Sequence, residues 1–263
     1  MKKTIYAIAM LLTLTGCVNM IPTNIIGGRS GNGELVVIDA GHGGHDSGAI
    51  GGDQYEKTLV LQIAKKVKNS LQNRGYRVYL TRDGDRFLKL SQRTHIADVK
   101  NAKVFVSIHA NAAPTKNRYR AAHGIETYFL QKTRDAKSQR IAKRENESVL
   151  QGTDSLSKNV IIDSVLNGPK IVQSHKLAID VQNSIVQGVK NGYGGVKDGG
   201  VRPAPFYVLV GASRPSILVE VGYITNPQER ARLFKSDYQK RIADGIANGI
   251  GRYLKNRERE LGI

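Results

Sequence analysis

Continuous apolar runs alternate with apolar stripes at helical spacing along most of the chain. Leu35-Val36-Val37-Ile38 is a short unbroken run, the pattern of a strand buried on both faces. It ends in a glycine-rich turn from Ala40 to Gly52. From Tyr55 to Asn73, Leu59, Val60, Ile63, Val67 and Leu71 recur on one face, which predicts a helix that Gly75 stops. Arg77 to Thr81 reads as a second strand, Leu90 to Val99 as a short helix, and Val104 to Ile108 and Ile125 to Leu130 as further strands. Lys132 to Val149 is polar, charged and helical in pattern. Residues 151 to 170 mix turn-forming side chains with Val160-Ile161-Ile162 and fit no period. Ser174 to Val189 reads as a helix, Phe206 to Val210 and Ile217 to Val221 as strands, and Pro227 to Phe234 and Tyr238 to Leu254 as closing helices. This alternation predicts a single α/β domain. Its sheet is mixed and mostly parallel, with about six strands and helices on both faces. The domain is expected from Glu34 to Asn256, without an internal repeat.

The first thirty-three residues follow other rules. Lys2 and Lys3 precede an apolar stretch from Ile5 to Leu14, too short for a permanent span, which takes about 20 apolar residues. It fits an export signal over residues 1–16. Leu14-Thr15-Gly16-Cys17 resembles the lipobox of bacterial lipoproteins, which implies cleavage before Cys17 and acylation of that cysteine. Cys17 is the sole cysteine, so acylation leaves no free thiol in an oxidising compartment. Val18, where an Asp would favour inner-membrane retention, points to the periplasmic face of the outer membrane. Residues 17–33 carry Pro, Asn, Ser and four Gly without a period and read as a tether.

The chain has 40 Lys and Arg against 22 Asp and Glu, a formal charge of +18, which bears on partners rather than on fold. Anionic envelope polymers are the simplest match, and such recruitment weakens with salt. A nucleic-acid partner is not expected, given the export signal and the lack of a basic, aromatic-interleaved motif. The expected state is a monomer.

Two histidines stand just past buried strands: His42 in Ile38-Asp39-Ala40-Gly41-His42-Gly43-Gly44, and His109 in Ser107-Ile108-His109-Ala110-Asn111. Ligands of open α/β sheets bind in the crevice at the carboxyl ends of the strands. Glu220 lies within an apolar run, where a charge needs a partner or a task. Glu56 opens the first predicted helix beside the His42 turn. Two imidazoles and one carboxylate are a common catalytic zinc set, although this spacing is not a compact motif.

These segments, with Glu56-Lys57 and Pro215-Ser216-Ile217-Leu218-Val219-Glu220-Val221-Gly222-Tyr223-Ile224-Thr225-Asn226, closely resemble the zinc-dependent N-acetylmuramoyl-L-alanine amidases in residue type and order. The resemblance covers Glu34 to Leu254. It implies that His42, Glu56 and His109 bind one zinc ion and that Glu220 is the catalytic acid/base. The bond cut joins N-acetylmuramic acid to the L-alanine of the peptidoglycan stem peptide. Two alternatives stay open: a non-catalytic peptidoglycan-binding lipoprotein, and a zinc peptidase of the envelope.

Asp39 is a candidate to orient His42, since ligating imidazoles usually donate their second N–H. Arg82 and Arg93 are candidates for structural ion pairing, with substrate contact as the other reading of both. Asn111 is a candidate to line the cleft. His45, His95, His123 and His175 are not expected to be ligands. Some members of the family carry an insertion whose helix covers the zinc with a Glu until an activator protein displaces it. Arg144-Glu145-Asn146-Glu147 resembles part of that segment, so residues 132–170 are a candidate regulatory insertion with Glu145 as the metal cap. A solvated charged helix is the competing reading.

Overall fold

A computed structural model describes residues 33–150 and 169–262, with backbone alone over 147–150 and at 169. Cys17, Val18 and the segment 151–168 lie outside the described residues.

The main sheet has six strands: β1 (Leu35–Ala40), β4 (Arg77–Leu80), β5 (Val104–Asn111), β6 (Ile125–Leu130), β7 (Asp198–Ala204) and β8 (Ser216–Tyr223). Their order is β4-β1-β5-β8-β6-β7. The first four in that order run parallel; β6 pairs antiparallel with β8 and parallel with β7. A small hairpin, β2 (Ile50–Gly51) and β3 (Gln54–Tyr55), leads directly into α1 (Glu56–Gln72). The other helices are α2 (Leu90–Val99), α3 (Ala136–Leu150), α4 (Pro169–Lys190), α5 (Tyr207–Val210), α6 (Pro227–Leu233) and α7 (Ser236–Leu261). Among the described residues no helix is long and apolar enough to cross a membrane.

The apolar runs do what their composition requires. Val36, Ile38 and Ala40 face a core shared with α1, α4 and α7, while Val37, Phe105 and Leu218 face the opposite side under α2, α3 and α5. The sheet is thus covered on both faces, as parallel sheets require.

Two expectations are corrected. Phe206 to Val210 is not a strand: Tyr207–Val210 forms one helical turn, with Val208 and Leu209 buried. The strand lies just before it, in Asp198–Ala204. Gly199, Gly200 and Pro203 hide that strand from a periodicity search, and Pro is admitted because β7 is a sheet edge. The closing helix also outruns its apolar stripe, ending at Leu261 on a left-handed Gly262 (φ 69°).

Candidate metal centre

The site lies at the carboxyl ends of β1, β5 and β8. His42 follows β1 with φ 58°, a left-handed conformation costly for a side-chain-bearing residue and held only where its surroundings enforce it. Two buried arginines do so. Arg93 donates to the carbonyls of Ala40 (2.7 Å) and His42 (2.8 Å). Arg82 donates to those of Ala40 (2.9 Å) and Gly41 (2.7 Å), and also to Lys57 (2.8 Å) in the first turn of α1. Both guanidiniums therefore hold the His42 turn, and Arg82 also ties it to the helix that carries Glu56.

Glu56 is the first residue of α1, placed there by the hairpin. Its Oε2 accepts from the Ala49 N–H (2.8 Å) and its Oε1 from the Ala110 N–H (2.8 Å). His109 lies near the end of β5, where the register against β8 shifts between His109 and Asn111. Bulges of this kind re-aim side chains next to functional sites. Gly41 and Gly48 leave the room: a Cβ on Gly41 would lie 2.4 Å from His109 Cε1, and one on Gly48 2.6 Å from His42 Cδ2.

Four buried side chains converge. His42 Nε2 stands 3.1 Å from Glu56 Oε1 and 3.1 Å from Glu145 Oε2; His109 Nδ1 stands 3.1 Å and 3.0 Å from the same two oxygens. One ligand atom from each of the four can be chosen so that all lie within 4.8 Å of one another. Donors around a tetrahedral zinc ion, with bonds of ~2.0–2.2 Å, stand about 3.3–3.6 Å apart, so two nitrogens and two oxygens in this arrangement fit such an ion. Electrostatics agree. Burial opposes charge on each group, yet the carboxylates raise His42 well above the usual imidazole range and His109 to about 9. Against the same cost of burial, the imidazoles hold Glu56 down at about 2. Two carboxylates thus draw positive charge into one dry pocket, which a divalent cation satisfies.

Asp39 does not orient His42. Its Oδ1 accepts from Thr81 (2.6 Å) and Arg93 (2.9 Å), and its Oδ2 from Ser107 (2.7 Å). The strand points this carboxylate under the turn, not at the imidazole. The acceptor for His42 is Asp46, whose Oδ2 lies 2.9 Å from Nδ1 and leaves Nε2 facing the cluster. Sequence reasoning missed Asp46; its signal was an acid four residues on within the glycine-rich turn. Arg93 is buried and pairs with Asp39. Asn111 is buried below α3, with its Oδ1 3.2 Å from Arg144 Nη1. Among the described residues His45, His95, His123 and His175 stay outside the cluster; His45 packs at a tilt against Phe87 and His175 stacks on Phe129.

Glu220 sits in β8 directly opposite His109, fully buried. Neither of its carboxylate oxygens has a hydrogen-bond partner among the described residues, and the Arg144 guanidinium stands 3.8 Å off. Burial, then the Glu145 charge, pushes its carboxyl well above the usual range, only partly offset by Arg144. Such a group can carry a proton near neutral pH. Arg144 also reaches the Ala112 carbonyl (3.2 Å) and pairs with Glu145, fixing the end of α3 over the cluster.

Fold and site define an α/β protein with a buried nitrogen–oxygen pocket that could hold a metal ion, beside a buried carboxylate whose pKa is raised. The chain belongs to the N-acetylmuramoyl-L-alanine amidase family, whose model (Amidase_3) matches residues 36–252. It is similar to the N-acetylmuramoyl-L-alanine amidase AmiA of Escherichia coli, 34% identical over 230 residues, 86% of this chain and 78% of AmiA. The crystal structure of an N-acetylmuramoyl-L-alanine amidase from Clostridium difficile 630 matches 86% of this chain and 99% of its own at 32% identity, TM-score 0.66. A structure of the CwlD amidase from Clostridioides difficile in complex with the GerS lipoprotein matches 85% of this chain and 99% of its own at 25% identity, TM-score 0.61.

Proposed function

We propose that this chain is a zinc-dependent hydrolase of the amide between N-acetylmuramic acid and L-alanine in peptidoglycan. The observation that carries the reading is the convergence of His42, Glu56 and His109 on one point, beside a buried Glu220 without a hydrogen-bond partner among the described residues. When bound, zinc supplies Lewis acidity at a carbonyl oxygen and brings the pKa of water down towards ~7. Glu220 then has the position and the raised pKa to accept a proton and return it to the leaving nitrogen. Asp46 fixes the His42 tautomer, and Arg82 and Arg93 hold the turn on which that imidazole stands.

Digestion of purified peptidoglycan, with metal content measured in parallel, tests the proposal. Stem peptides with free L-alanine amino ends are expected, lost on chelation and restored by zinc. Cuts within the peptide would identify a peptidase instead. An absence of products from zinc-loaded protein freed of α3 would identify a binder.

The fourth donor supports a built-in brake. Glu145 comes from α3, the helix that lies over the cleft, and occupies the place a substrate oxygen needs. Residues 132–170 are then an autoinhibitory lid displaced by a protein activator. Glu145→Ala in the full chain should raise basal cleavage several-fold; an unchanged rate in folded protein would leave α3 a structural helix.

The export signal and Cys17 support anchoring by lipid, and Val18 supports the periplasmic face of the outer membrane. Cys17→Ser should shift the protein from the membrane to the soluble envelope fraction.

A further inference from the structure

One buried carboxylate has no part in the chemistry above. Glu126, in β6, is 1% exposed. It lies directly across from Glu220, which lies directly across from His109, so three functional side chains form one row over β5, β8 and β6. They alternate in phase with Tyr128 and Leu218 and so share the face that α3 covers. The Glu126 Oε2 accepts from Tyr128 Oη (2.9 Å), Asn111 Nδ2 (3.4 Å) and Tyr223 Oη (3.5 Å). Its Oε1 meets Arg202 Nε at 3.7 Å and the ammonium of Lys137. Gly199 lets the carboxylate sit this close to β7, since a Cβ there would lie 2.2 Å from Glu126 Cγ.

Lys137 and Glu145 belong to the same helix. α3 therefore sets down two charged groups at once, a carboxylate on the metal pocket and an ammonium on Glu126. If α3 stands where substrate lies, those charges report what the cleft is built to receive. Tyr128, Asn111 and Tyr223 hold Glu126 from below, leaving Oε1 towards the lid. Withdrawal of α3 takes Lys137 away and leaves a buried carboxylate whose one remaining ion-pair partner among the described residues is Arg202, at more than hydrogen-bond distance. A buried charge stripped of its partner is costly, so the opened cleft favours a replacement cation.

We propose that Glu126 is a receptor for a primary ammonium group of the stem peptide, masked in this state by Lys137. Spacing names the position. Neighbouring strands lie ~4.8 Å apart, so Glu126 stands about 10 Å from His109 along the row. An extended peptide covers ~3.3–3.6 Å per residue, so a chain whose scissile amide lies over the metal pocket at His109 reaches Glu126 about three residues on. The ligand class is a peptide with an amine-bearing side chain near its third residue. This inference rests on the amidase reading and on α3 occupying the cleft.

The test uses binding, so that it stands apart from turnover. The probes are a muramyl tripeptide ending in lysine and the same peptide with its side-chain amine acetylated, titrated calorimetrically into the full chain carrying Glu220→Gln. Adding Lys137→Ala should tighten the free-amine peptide about tenfold, the scale of one charge-assisted hydrogen bond, and leave the acetylated peptide unchanged. Adding Glu126→Gln should erase the preference for the free amine. Equal affinity for the two peptides in the Lys137→Ala protein overturns the proposal, and that surface variant decides the matter even if Glu126→Gln misfolds. Amine-selective binding by a protein whose Glu220 parent cleaves neither peptide would keep the receptor and refute the amidase.

Discussion

Alternate residues of β1, β5 and β8 face opposite sides of the sheet, and the two sides differ in kind. One presents Val36, Ile38 and Ala40, then Val106, Ile108 and Ala110, then Ile217, Val219 and Val221, with no polar side chain among them. The other begins the same way, with Val37, Phe105 and Leu218, and then turns polar: Asp39, then Ser107, His109 and Asn111, then Glu220. Stability and chemistry thus share strands but not surfaces. The closed side packs three long helices, α1, α4 and α7. The open side needs its apolar residues only at the root of the strands, beneath α2, α3 and α5. Burial of polar groups there is tolerated because most are paired, Asp39 three times over.

If that division is right, changes on the two sides should separate activity from folding. Glu220→Gln should give the largest effect, a loss of about 10²–10⁴ in kcat by the usual weight of general acid/base catalysis, with zinc retained and thermal stability undiminished. A fall in melting temperature matching the loss of activity would make Glu220 structural. Ile217→Ala, three residues away but facing the closed core, should cost ~2–5 kcal/mol in denaturant unfolding while leaving kcat intact at temperatures where the protein is folded. A catalytic defect there would break the division. Asp46→Ala should give the smallest effect, weakening zinc about 10–100-fold in chelator competition with little change in unfolding. No change in zinc affinity would mean that the His42 tautomer is set elsewhere.

The legible parts of the molecule are those where one segment decides its own fate. β1, β5 and β6 are buried on both faces, so their composition announces them, and α2 has the bounds its sequence predicts. His42, His109 and Glu220 stood out because they interrupt such runs at strand ends. β7 was not legible because its pairing with β6, not its own residues, makes it a strand. Phe206 to Val210 has the composition of a strand but caps the sheet as a turn of helix. Asp46 escaped notice because the contact depends on left-handed backbone at His42, Gly43 and Gly44, which no periodicity encodes. Glu126 escaped because its meaning comes from register against β8, two crossovers away in the chain.

Gly41 and Gly48 carry one more implication. Each touches an imidazole so closely that even a methyl group would overlap it. The walls of this pocket are therefore made of hydrogen atoms, and the smallest change available to either codon moves a histidine. The carboxylate side has no more slack: a Cβ on Gly48 would also lie 2.7 Å from Glu56 Oε2, so a single glycine keeps room for both kinds of side chain.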